Sequence, residues 1–128
     1  MNLNQITLPA SNLKVSVDFY LKMGFTQIVD SPHYARFSCP VGDSTFSLSL
    51  TEDTPHHGVT IYFETEELDT WIELIKSRGI HIDQMPIKQN YLWTEAIVHD
   101  PSGNTIKLYH AGQNRLNPPW RVNITYGA

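Results

Sequence analysis

The chain repeats one segment. Asn12-Leu13 opens a stretch that closes at Gly24-Phe25, and Glu67-Leu68 opens one that closes at Gly79-Ile80. The offset is constant, since 68 − 13 and 79 − 24 both give 55 residues. Each copy follows a short apolar run and precedes further strand-like runs. Two copies of one supersecondary unit within 128 residues predict a single pseudo-symmetric domain, with a site where the copies meet.

Within each copy the pattern reads β-α-β-β-β. Residues 6–8 alternate and are stopped by Pro9, which marks a first strand. Ser11 or Asn12 suits a helix N-cap, Leu13, Val17, Tyr20 and Leu21 recur at helical spacing, and Gly24 suits the position past the helix end. Residues 26–29, 34–39 and 45–50 read as strands, divided by turn signals at 30–32 and 40–43. The second copy gives a strand at 59–65 and a helix at 66–78 with Leu68, Ile72 and Ile75 on one face. Gly79 closes that helix, and strands follow at 80–87, 91–99 and 105–109. A tight turn, Asp100-Pro101-Ser102-Gly103-Asn104, joins the last two. Module one covers about 1–52 and module two about 58–111. A polar tail, expected to be extended, covers 112–128.

The strands alternate. Phe46, Leu48 and Leu50 enclose Ser47 and Ser49; Ile61 and Phe63 lie among Thr60, Tyr62 and Glu64; Ile106 and Leu108 lie among Thr105, Lys107 and Tyr109. Helices covering the apolar side leave a polar, aromatic face. Pairing Val98 with Ile106 and Ala96 with Leu108 across the 100–104 turn puts Trp93, Glu95, Ile97 and His99 on the side of Lys107 and Tyr109. Large aromatics beside a carboxylate and an ammonium suit the lining of a ligand cavity. The plainer alternative is a solvated sheet face.

Composition excludes several classes. A net charge of −4 with no basic patch argues against nucleic-acid binding. No apolar run approaches the length of a membrane span. The N-terminus lacks signal-peptide character, and the lone Cys39 has no internal disulfide partner, so a cytoplasmic location is expected. Cys39 itself reads as a small residue in or beside a strand.

The repeat, the segment from Asn12-Leu13 through Asp18-Phe19-Tyr20 to Gly24-Phe25, and the 100–104 turn resemble the vicinal oxygen chelate superfamily. That group holds lactoylglutathione lyases, extradiol dioxygenases, fosfomycin-inactivating enzymes and bleomycin-binding resistance proteins. The resemblance covers the chain to about His110, and the tail around Asn117-Pro118-Pro119-Trp120 resembles glyoxalase-like bacterial members. It implies an α+β fold in which two βαβββ modules form a curled, cup-shaped mixed sheet with helices on the outer face. It also implies a homodimer whose cup binds a small molecule.

The same resemblance implies a divalent metal held by four inward positions. Carried over, these fall on Gln5, on or next to Ser49, on Thr60 and on Lys107. Such a metal needs imidazole, carboxylate or good oxygen donors, and an ammonium has no lone pair to give. The expected cofactor is therefore none, and the expected function is binding of a small organic ligand in a cup lined by Gln5, Ser49, Thr60, Tyr62, Glu64 and Trp93. The alternative is a lyase, isomerase or dioxygenase with non-standard residues. For it, Glu95 supplies a base and Lys107 or Tyr109 an electrophilic partner, although Glu95 and Lys107 also suit a cross-strand ion pair.

Six histidines are present, none in an HExxH-type spacing. His99 beside Glu95 suggests an unusual metal site, His56-His57 an adventitious one, and His33 faces solvent. There is no GxSxG elbow and no phosphate loop. Trp120 is expected to dock the tail, on its own domain or on a partner chain, with Arg115 and Arg121 near the mouth of the cup.

Overall fold

The structure, a computed structural model, describes residues 3–52, 59–124 and 126. Its elements are β1 (Gln5–Ala10), α1 (Leu13–Met23), β2 (Thr26–Ser31), β3 (Tyr34–Ser38), β4 (Thr45–Leu50), β5 (Thr60–Glu64), α2 (Leu68–Ser77), β6 (Gln84–Lys88), β7 (Thr94–His99) and β8 (Thr105–His110). A 3-10 turn, Gly112–Asn114, opens the tail, which is therefore not simply extended. The order is βαβββ twice, an α+β fold. His56 and His57 lie outside the described residues. No helix among the described residues is long and apolar enough to cross a membrane.

The strands form two four-stranded mixed sheets, ordered β1-β4-β3-β2 and β5-β8-β7-β6. β1 runs parallel to β4 and β5 parallel to β8, and the other pairs are antiparallel. β1 and β5 are edge strands, so each module keeps its own ladder. β1 continues through Pro9 instead of stopping there. A proline lacks only an N–H, and on an edge strand that group has no obligatory partner.

Local chemistry sets the helices. Asn12 Oδ1 accepts from the Val15 amide at 3.1 Å, which caps α1. Gly24 ends α1 at φ 106°, a left-handed conformation that glycine adopts without penalty. A Cβ there would stand 2.7 Å from the Trp71 ring, so Gly24 also allows α2 to pack closely. α2 has no side-chain cap and depends instead on burial of Leu68, Ile72 and Ile75.

The apolar faces of both sheets and both helices share one core. Phe63 of module two packs on Phe25 and Phe46 of module one, with ring centroids 4.8 Å and 5.5 Å apart. A polar latch reinforces this seam. Asp100 accepts from the backbone of Ser102 and Asn104, from Asn104 Nδ2 at 2.7 Å and from Tyr20 Oη at 2.7 Å. Asn104 Nδ2 also donates to the Pro9 carbonyl, and the Ser11 amide donates to Ser102 Oγ. The 100–104 turn thus fastens the modules as well as joining β7 to β8.

Two strands start later than their patterns suggest. Residues 80–83 are irregular, and Ile80 and Ile82 still pack on the core. β6 begins at Gln84 and carries a register shift before Ile87. Residues 91–93 belong to a turn, in which Leu92 takes φ 73° and its amide bonds the Gln89 carbonyl.

Candidate functional site

The expected register is found: Val98 lies opposite Ile106, and Ala96 opposite Leu108. The polar face of the second sheet therefore gathers Tyr62, Trp93, Glu95, Lys107 and Tyr109. Trp93 stacks on Tyr109 with centroids 4.8 Å apart, and Tyr62 meets both rings edge-on. Tyr91 adds a fourth ring against Trp93. Tyr109 is buried behind this cluster, whereas Tyr62 is exposed and Trp93 half-buried. The ring surface that a ligand reaches is thus that of Tyr62 and Trp93.

Glu95 is only 2 % exposed, and its Oε2 lies 3.2 Å from Lys107 Nζ. That carboxylate oxygen is sealed from water and has no aligned hydrogen bond, so the ammonium is the charge that compensates it. Lys107 also stands 5.4 Å from the Tyr62 ring centroid. Burial pulls the Lys107 pKa down, but contact with Glu95 and Tyr62 outweighs it and holds the ammonium above the ordinary lysine value. Burial, and then the charge of Glu64, raises the Tyr109 phenol, against a smaller opposing effect of Arg115.

Glu64 serves the tail. Its Oε2 accepts from the Ala111 and Gly112 amides at 2.8 Å and 3.0 Å, and its Oε1 lies 3.5 Å from Arg115. Trp93 Nε1 donates to the Asn114 carbonyl. These two residues dock the tail on its own chain, where Trp120 is 56 % exposed. Arg121 bonds Asn117 and Asn123 within the tail.

Module one has its own polar cluster. Gln5 Nε2 donates to Ser47 Oγ at 2.6 Å, Ser47 bonds Tyr34 Oη, and Arg36 Nε donates to Tyr34 Oη at 3.0 Å. The bond to Ser47 lowers the Tyr34 pKa, with burial opposing it and Arg36 assisting it. Arg36 makes no ion pair among the described residues. Tyr34, Arg36 and Ser47 add to the residues expected from the alternation. The alternation of residues 34–38 carried the signal, because Tyr34 and Arg36 lie opposite Ser49 and Ser47.

The registers also settle which serine matches Lys107. Gln5 pairs with Thr45 as Thr60 pairs with Thr105, so Ser47 corresponds to Lys107 and Ser49 to Tyr109. Ser47 is buried within the cluster, while Ser49 is exposed one step further along the same face. No hydrogen bond, ion pair or ring contact among the described residues joins the polar face of one module to that of the other. Gln5 and Thr60 both line a groove of about 1130 Å³ between the modules. Tyr62 and Glu64 line it too, with Phe25, Phe46, Phe63 and Trp71 forming an apolar floor.

The donors at the four superfamily positions are an amide, two hydroxyls and an ammonium held by a carboxylate. This set does not fit a divalent cation. Among the described residues no three His, Cys, Asp or Glu side chains converge on a metal position. His99 does not meet Glu95; its Nδ1 bonds Asp83 at 2.8 Å, with His81 on the other Asp83 oxygen. His33 is exposed, as expected.

Residues 2–108 match the family described as the Glyoxalase/Bleomycin resistance protein/Dioxygenase superfamily. The chain belongs to that superfamily. A search of curated proteins finds no significant match. A solved glyoxalase/bleomycin resistance protein/dioxygenase from Nocardioides aligns with TM-score 0.77 at 20% identity, covering 96% of this chain and 90% of that one. A bleomycin-binding protein complexed with bleomycin aligns with TM-score 0.72 at 19% identity, covering 86% and 98%. A lactoylglutathione lyase from Agrobacterium tumefaciens aligns with TM-score 0.71 at 19% identity, covering 85% and 92%. Likeness at this identity establishes the fold and leaves the reaction open.

Proposed function

We propose that this chain binds a small planar organic ligand on the second sheet, without the superfamily's metal. The carrying observation is the ring cluster of Tyr62, Trp93 and Tyr109, with Lys107 set beside its exposed edge. Tyr62 and Trp93 offer π-faces, Tyr109 backs them, and Lys107 orients an acidic or carbonyl group of the ligand. Glu95 keeps Lys107 charged and aimed. The tail, clipped by Glu64 and Trp93, forms one wall. The functional unit is a homodimer, a reading supported by two free strand edges, β1 and β5, beside an apolar groove.

The test is a fluorescence titration in chelator with metal-free bleomycin and a panel of aromatic acids. Saturable binding that weakens at least tenfold in Trp93→Ala and in Tyr62→Ala is expected. Binding that needs added metal, or that ignores both substitutions, contradicts the proposal.

A further inference from the structure

The tail carries a pattern that the ligand site does not use. From residue 120 it reads Trp-Arg-Val-Asn-Ile-Thr-Tyr, with apolar side chains at every second position. That is the signature of a strand with one buried face. In the isolated chain that face is buried against nothing: Trp120, Val122, Ile124 and Tyr126 are all exposed, Tyr126 fully so at 106%. None of them belongs to a sheet.

The same chain holds a place for such a strand. The groove between the modules presents the accessible apolar side chains of Leu3, Val41, Ile61, Phe63 and Trp71 and is bordered by the free edge of β5. A free edge presents a row of unpaired N–H and C=O groups that an added strand satisfies. Charge agrees as well. The groove lining contains Glu64, Glu66 and Glu67 and no Lys or Arg. Residues 112–128 contain Arg115 and Arg121 and no Asp or Glu.

We propose that residues 120–124 of one copy lie along β5 in the groove of a second copy, each tail filling the other's groove. In the isolated chain none of residues 120–124 lines its own groove, which leaves that groove open to a second copy's tail. Glu64 and Trp93 fix residues 111–114 at the end of β5 and over the ligand face, and Arg121 turns back onto Pro118 and Asn117. Reciprocal exchange gives a closed two-fold dimer. Trp120, Val122 and Ile124 then cover the groove's apolar side chains, and Arg121 meets Glu66 and Glu67.

The test is sedimentation of full-length chains over a concentration series. Val122→Asp with Ile124→Asp should weaken self-association about a hundredfold, as expected for charges placed at buried interface anchors. These residues are exposed in the isolated chain, so its melting at low concentration should not change. Two further chains decide whether the tail acts between copies. One carries Arg121→Glu; the other carries Glu66→Lys with Glu67→Lys. Each alone should associate several-fold more weakly, because its tail and groove repel. Mixed one to one, they should restore parental association, because each tail now meets a groove of opposite sign. Parental association of the double aspartate chain overturns the proposal. So does a mixture no better than its parts, which places the tail on its own chain.

Discussion

Tyr20 Oη donates to Asp100 Oδ2 across 2.7 Å, and this bond ties the helix of module one to the turn of module two. Both groups are buried, and Asp100 collects three further donors from Ser102 and Asn104. Tyr20→Phe removes one donor and leaves the carboxylate partly satisfied, at a cost of roughly 1–3 kcal/mol. Asp100→Ala strips the whole turn and should cost more. Urea unfolding checks both, and a single transition in the parent should remain single in Tyr20→Phe. Separate unfolding of the modules in the parent would show that the shared core does not couple them.

Raised pKa values predict alkaline sensitivity. Tyr20 is raised by burial and then by the charge and hydrogen bond of Asp100, and Tyr109 by burial and then Glu64. Lys107 is raised because Glu95 and Tyr62 outweigh its burial. All three hold their protons more tightly folded than unfolded. Their stabilisation is complete below the unfolded values of 10.0 for tyrosine and 10.5 for lysine, and is lost as pH rises through the folded values. Tyr34 has the opposite sign, since its lowered pKa favours folding at high pH. Urea midpoints should fall above about pH 10. The first tyrosinate absorbance should disappear in Tyr34→Phe.

Lys107 compensates a carboxylate that is almost wholly buried. Lys107→Met leaves Glu95 with no charge partner and should destabilise by about 3–5 kcal/mol. Adding Glu95→Gln should recover much of that loss. A double-mutant cycle measures the coupling, and additive effects would show that the 3.2 Å contact carries no coupling.

Gly24→Ala faces two penalties. Its φ of 106° is strained for alanine, and the new methyl falls on the Trp71 ring. A loss of more than about 1 kcal/mol is expected, with a shift in Trp71 emission. Gly42 has φ 81° but no atom within 4 Å of an added Cβ, so Gly42→Ala should cost less.

Much of this was readable in the residues. The 55-residue repeat gave the element order, and the Asp100–Asn104 turn, with its apolar flanks, gave the β7–β8 register and hence the ring cluster. Other features left no local trace. Glu64 lines the groove, but its hold on the tail is hidden because its partners are backbone amides at 111 and 112, which no side-chain pattern reveals. Pro9 looked like a stop because sequence does not say which strand lies at an edge. The correspondence of Ser47 with Lys107 is hidden in sequence because two hairpins lie between β1 and β4, and only the ladder fixes the count. The intrachain docking role of Trp93 is hidden because its partner is the Asn114 carbonyl, a backbone group that sequence does not mark.

The most direct test of the metal-free ligand site is the metal content of native, untagged protein purified without chelator, measured beside its native mass. The account predicts far less than one first-row metal per chain and ligand binding unchanged by chelator. About one metal per chain, lost in Gln5→Ala, would contradict it and return the superfamily's metal chemistry to these strands.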